Sequence, residues 1–163
     1  MSAFDPVAFL GTNYEQGFDT RVPLHKPGDW SGYIGTGERD ISPREITFQK
    51  GERAGQTGVI VDIWFYTEDP SAVGEGGVPP ARARQSLFID KTENGSLDFS
   101  KGKNRALGYL LTALGFQNKE GKLLKPWSWR AFPGMRLRYH VEHAVREDTG
   151  DIVANVTAVM PPA

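Results

Sequence analysis

The chain has 163 residues, with 19 Lys and Arg against 20 Asp and Glu and a formal charge of -1. That length supports one domain with a sizeable core, and that balance excludes a surface basic all over, so any nucleic-acid site has to be a local patch. Zero cysteines exclude disulfides, thiolate zinc sites and cysteine nucleophiles.

The first stretch, residues 1–28, sets Phe4, Phe9, Tyr14 and Phe18 among Pro6, Pro23 and Pro27 with no sustained period. An extended N-terminal arm is expected, lying across its own barrel or reaching a neighbour, and His25 within it reads as a surface side chain. MSAFDPVAFLGTNYE lacks the basic and apolar regions of a secretory signal, and no apolar run approaches the roughly 18 residues of a membrane span. A soluble, intracellular protein is therefore expected.

From Asp29, Trp30, Gly32 and Ile34 alternate with Ser31, Tyr33 and Gly35, and extended character resumes over Ile41 to Phe48 around Pro43. This predicts a first strand with a bend or bulge. A glycine-containing charged loop, Lys50 to Thr57, leads into GVIVDIWFYT, Gly58 to Thr67, the strongest strand pattern in the chain. Val59, Val61, Ile63 and Phe65 form a wholly apolar face, while Ile60, Asp62, Trp64 and Tyr66 form a face of aromatics with a carboxylate. That second face is either a stacking platform or a surface covered by the arm or a loop.

Glu68 to Pro80 is rich in Gly, Pro and small residues and predicts a mobile loop. Ala81 to Lys91 predicts a third strand, with Arg82, Arg84, Ser86 and Phe88 on one face and Ala83, Gln85, Leu87 and Ile89 on the other. A turn at Thr92–Gly95 follows. Ser100 to Arg105 then places Lys101, Lys103 and Arg105 around Gly102 just before a helix, an arrangement that suits a phosphate or a solvated connector.

The helix is marked by Leu107, Leu110, Leu111 and Leu114 at i, i+3, i+4 and i+7, with Asn104 as expected N-cap and Gly115 as expected closure. Beyond it, Trp127, Trp129, Arg130 and Phe132 crowd a proline-flanked loop. Aromatics interleaved with cations suit a single-strand binding surface, and the same aromatics suit a plug at a barrel mouth. Met135 to Arg146 predicts a strand with Leu137, Tyr139, Val141 and His143 inward and Arg136, Arg138, His140 and Glu142 outward. After a turn at Asp148–Gly150, Ile152 to Met160 predicts the last strand.

Three strands, a helix and a two-strand hairpin form the element order of an all-β, five-stranded OB-fold-like barrel, with the helix between strands 3 and 4 and residues 29–163 as one domain behind the arm. SLDFSKGKNRALGYLLTALGF, with the basic hairpin after it, resembles a group of bacteriophage single-stranded DNA-binding proteins. In that group an acidic strand end is followed by leucine-aspartate, glycine-lysine-asparagine, a leucine-glycine-x-leucine run and an alanine-leucine-glycine helix end. The resemblance spans about Thr20 to Val159 and is specific over Leu97 to Gly115. It implies an OB-fold and sequence-independent binding of single-stranded DNA in phage replication or recombination, in the cytoplasm of the infected host. No residue-level binding motif is carried over from the group. The chain ends VTAVMPPA rather than in the acidic tail of bacterial single-strand binders, so recruitment of partners through such a tail is in doubt.

From the strand faces alone, Trp64, Tyr66, Phe88, Trp127 and Trp129 are the candidate stacking residues, and Arg82, Arg84, Lys101, Lys103, Arg136 and Arg138 the candidate phosphate contacts. Single-stranded DNA is the expected partner, with replication or recombination proteins and self-association left open. No membrane, cofactor or metal is expected, and no catalytic residue. An interaction or assembly module would use the same aromatics as an interface. Asp62, Asp90, Glu93, Glu142, His140 and His143 suggest metal-dependent catalysis only weakly, because His140 and His143 leave a regular strand by opposite faces. There is no phosphate-binding loop, nucleophile elbow or zincin motif.

Overall fold

The structure, a computed structural model, describes residues 3–18 and 23–163. Among these residues, six strands and one substantial helix follow a short N-terminal helix: α1 (Pro6–Leu10), β1 (Gly28–Ile34), β2 (Ile41–Thr47), β3 (Thr57–Thr67), β4 (Ala81–Ile89), α2 (Arg105–Ala113), β5 (Arg136–Val145) and β6 (Ile152–Met160). The sheet runs β1-β5-β6-β4-β3-β2, and a further β1–β3 pairing closes a ring of five strands with β2 outside it.

The bent first strand expected from sequence is two strands. β2 covers the first half of β3, from Thr47↔Thr57 to Ile41↔Ile63, and β1 takes over at Ile34↔Phe65 and Tyr33↔Tyr66. Between them Asp40 holds the turn. Its Oδ2 accepts from Gly37 N–H at 2.9 Å and its carbonyl from Trp64 N–H at 2.8 Å. The ring's least extensive junction joins β4 to β6, in parallel, at Arg84↔Asn155.

Period-two alternation fills the ring. Val61, Ile63 and Phe65 of β3, Ala83 and Leu87 of β4, and Leu137, Tyr139 and Val141 of β5 are buried together with Ile34 and Val156. The leucine stripe of α2, Leu107, Leu110, Leu111 and Leu114, joins this core as expected. Gly115, at φ +82°, closes the helix: its N–H donates to Thr112 O and that of Phe116 to Leu111 O, satisfying two carbonyls at the helix end.

Asn104 does not cap α2. Its backbone is left-handed (φ 51°, ψ 42°), and its side chain reaches away from the helix, accepting from Asp90 N–H at 2.7 Å and donating to the carbonyls of Asp90 and Asp98. With Asp90 Oδ2 accepting from Asn104 N–H, this clasp ties the basic turn to the end of β4. Asn tolerates the left-handed region better than most residues, so one residue serves as both hinge and clasp.

The Glu68–Pro80 segment includes a 3-10 turn at Pro70–Ala72 that buries Ala72 and Val73 against Ala81, and Ala72 O accepts from Lys26 N–H. Two further expectations are corrected. His25 is fully buried, not superficial. One ring nitrogen meets Tyr139 Oη at 3.0 Å and the other Lys26 O at 2.8 Å, and burial holds its pKa below the ordinary imidazole value. The arm is likewise not wholly extended, since α1 lies within it, capped by Asp5.

Gly32 sits where β1 lies between β5 and the end of β3. A Cβ there would fall 2.0 Å from Tyr66 O and 2.9 Å from the Tyr139 ring. Gly32→Ala is expected to lower unfolding free energy by about 1–3 kcal/mol or more, as overpacking against backbone does. Gly17→Ala, with open space around it, is expected to stay within about 0.5 kcal/mol. Urea unfolding of both variants checks this.

Candidate nucleic-acid interface

The outward side chains of the ring assemble one row across four strands. Arg82 of β4 lies opposite Tyr66 of β3, Tyr66 opposite Tyr33 of β1, and Tyr33 opposite Arg136 of β5. The two tyrosine rings are near-parallel, 13° apart in plane with centroids at 5.9 Å, and Arg136 Cζ stands 6.0 Å from the Tyr33 ring. Next to this row, Trp64 lies opposite Arg84. Arg82 Cζ is 4.6 Å and Arg84 Cζ 5.7 Å from its ring centroid, within cation–π range.

Carboxylates fix the aromatic rings in place. Tyr33 Oη donates to Glu68 Oε1 at 2.6 Å and Tyr66 Oη to Asp40 Oδ1 at 2.8 Å. The hydrogen bond to Glu68, with some burial and the charge of Glu68, pushes the Tyr33 phenol up to about 12. Burial and then Asp40 raise that of Tyr66. Further along β3, Asp62 accepts from Ser86 Oγ at 2.5 Å and Arg44 Nε at 2.7 Å. Burial raises its pKa, but those bonds and the charges of Arg44 and Arg84 outweigh this and hold it below the ordinary carboxylate value. Asp62 is thus a structural anion that orders the arginine side of the sheet.

The remaining sequence candidates divide. Arg82, Arg84 and Trp64 line a depression of about 350 Å³ between β4 and β6, which also takes in Arg146. Arg138 lies opposite Ser31, and its Nε donates to Pro161 O at 2.8 Å. Phe88, exposed opposite Ile60, lines a separate depression with Lys103. Lys101, Lys103 and Trp127 line a groove beside α2. Trp127 is itself stacked on Phe132 (8°, 5.9 Å), with Trp129 edge-on to both, so these tryptophans pack mainly on one another and the core. The eleven candidates therefore do not converge on one groove.

Tyr33 is the central residue that sequence reasoning left out of the site. The signal was present: it alternates with the inward Gly32 and Ile34. Its neighbours, however, come from β3 and β5, distant in sequence. His140 and His143 diverge as expected, His140 Nδ1 meeting Asp29 Oδ1 at 2.6 Å and His143 Nε2 meeting His25 O at 2.7 Å. Among the described residues no group of three or more His, Cys, Asp or Glu is placed to hold a metal ion, and no helix is long and apolar enough to cross a membrane. No family model and no curated protein matches the chain.

Tyr33 offers a test of this geometry. A phenol whose folded pKa exceeds its unfolded value near 10 contributes stability that is complete below pH 10 and lost as pH rises through about 12. Between these values the wild type is expected to lose stability more steeply than Tyr33→Phe, measured by denaturant unfolding across that range.

Proposed function

We propose that the chain binds single-stranded DNA without sequence preference, as a non-enzymatic coat, along the Arg82–Tyr66–Tyr33–Arg136 row with Trp64 and Arg84 beside it. The observation that carries this is the pair of parallel tyrosine rings with a guanidinium at each end of the row. Each base offers a π-face and each nucleotide a phosphate, so aromatics flanked by arginines meet both without reading base edges. Tyr33 and Tyr66, held by Glu68 and Asp40, are presented in a fixed orientation, which reduces the ordering cost of binding. Arg82 over Trp64 offers a guanidinium plane to a base or a charge to a phosphate.

Ring order supports the same function. With β1 and β2 taken as two halves of one first strand, the order becomes 1-2-3-5-4 with the third and fifth strands parallel, the connectivity of an OB-type barrel. β3 and β4 are then its second and third strands, the ones whose face takes up oligonucleotides in such barrels. The resemblance of Leu97–Gly115 to phage single-stranded DNA-binding proteins points to a role in phage replication or recombination within the host cytoplasm. Phe88, Lys101, Lys103, Trp127, Trp129 and Arg138 lie off the row and are assigned secondary contacts at most.

Titration with oligo-dT at low salt is expected to quench Trp64 fluorescence, with the quench lost in Trp64→Phe while gel-shift binding persists. Tyr33→Ala or Tyr66→Ala should weaken binding by about 1–3 kcal/mol for each base stacked. The slope of log K against log salt should be about -0.7 per neutralised phosphate, and flatter by more than one unit in Arg82→Ala/Arg136→Ala. Absence of both quench and gel shift contradicts the proposal.

A further inference from the structure

The N-terminal arm and the groove beside α2 are each incomplete on a single chain. Every residue of 3–18 is exposed, including Phe4, Val7, Phe9, Leu10 and Tyr14, and Phe18 reaches 95 %. The arm is nevertheless a formed element: Asp5 accepts from the N–H groups of Val7 and Ala8 at 3.1 and 3.3 Å, and the Phe4 and Phe9 rings meet at 5.4 Å. Phe4, Val7, Phe9 and Leu10 thus gather exposed apolar side chains around one formed turn, a surface open to a partner.

The groove has the complementary character. It encloses about 830 Å³ over Leu107, Leu111 and Trp127. Its rim leaves Phe99 81 % and Tyr109 65 % exposed, which extends the apolar surface of the groove. Lys101, Lys103, Arg105 and Lys119 outnumber Asp98 and Glu120 along its walls, so it is positive. The arm is the opposite: Asp5, Glu15 and Asp19 fall in residues 1–19, which contain no Lys or Arg. An acidic, aromatic segment with one helical turn matches a basic, apolar groove in both charge and surface character.

We propose that the arm of one copy docks in the α2 groove of a second copy, and that the exchange is reciprocal. A two-fold axis makes such a contact self-complementary and closed, consuming both arms and both grooves. None of residues 3–18 lines the groove and all of them are exposed, so both surfaces are open to a second copy. This contact is separate from the Arg82–Arg136 row.

The natural absence of cysteine allows a direct test with full-length protein. Phe9→Cys and Tyr109→Cys, both at exposed positions, are prepared separately, mixed and oxidised. A covalent dimer pairing one of each is expected, in excess of either self-pairing. Asp5→Asn/Glu15→Lys in the arm-donating chain, which keeps an N-cap at residue 5, should abolish it. Lys101→Glu/Lys103→Glu in the groove-donating chain should restore it. The proposal is overturned if the mixed product is missing while the double variant Phe9→Cys/Tyr109→Cys closes within one chain, since the arm then docks at home. It is equally overturned if neither crosslink forms and the wild-type protein sediments as a monomer at all concentrations, as it would if the groove served a foreign partner.

Discussion

Closure of the ring depends on how near β1 comes to the end of β3. That approach is possible only because Gly32 carries no side chain: the space a Cβ would need is taken by the Tyr66 carbonyl and the Tyr139 ring. The same closure sets Tyr33 alongside Tyr66 and, one strand further, Arg136. The packed core and the outer row therefore depend on the same close approach. The residue before Tyr33 is packed inward without a side chain so that Tyr33 itself can stand outward in register with β3.

The net charge of -1 does not describe the row, where Arg82, Arg84 and Arg136 stand beside the carboxylates of Asp40, Asp62 and Glu68. Glu68 and Asp40 are occupied by tyrosine hydroxyls and Asp62 by Arg44 and Ser86, so these acids act as supports for the row. Arg82, Arg84 and Arg136 instead lie against aromatic rings. Charges more than a Debye length away, roughly 8 Å at physiological salt, contribute little to the local field. The potential over the row is therefore set by Arg82, Arg84 and Arg136 against Asp40, Asp62 and Glu68, which keep their charge when they accept hydrogen bonds and lie within that distance.

Much of the barrel is legible in the residues themselves. Arg82 to Leu87 alternate cleanly because one face is core and the other is turned outward, and the α2 leucines repeat at helical spacing because one side of the helix is core; in β3 the burial runs unbroken from Ile60 to Ile63, so only its apolar length marks it as a strand. What is not legible depends on partners far along the chain. Asn104 has the identity of a cap but serves as a clasp because Asp90 and Asp98 compete for its side chain. His25 carries a polar ring yet is buried because Tyr139, over a hundred residues away, offers its hydroxyl. The Pro70–Ala72 turn has a loop's composition, but its small residues are what allow it to pack under Trp30. Trp64, Tyr66, Arg82, Arg84 and Arg136, which the strand faces point to, are neighbours across the ring, but period and charge do not separate them from Lys101, Lys103 and Trp127, because they do not encode which surface a loop joins.

The central claim is that single-stranded DNA lies on the outer row rather than in the groove beside α2. Nuclear magnetic resonance of the labelled protein, titrated with oligo-dT at low salt, measures this residue by residue. The expected result is a contiguous set of shifts at Tyr33, Trp64, Tyr66, Arg82, Arg84 and Arg136, with Phe99, Tyr109 and Leu123 unmoved by the oligonucleotide. Shifts confined to the α2 groove and the Trp127–Phe132 cluster, with the tyrosine row silent, would contradict it.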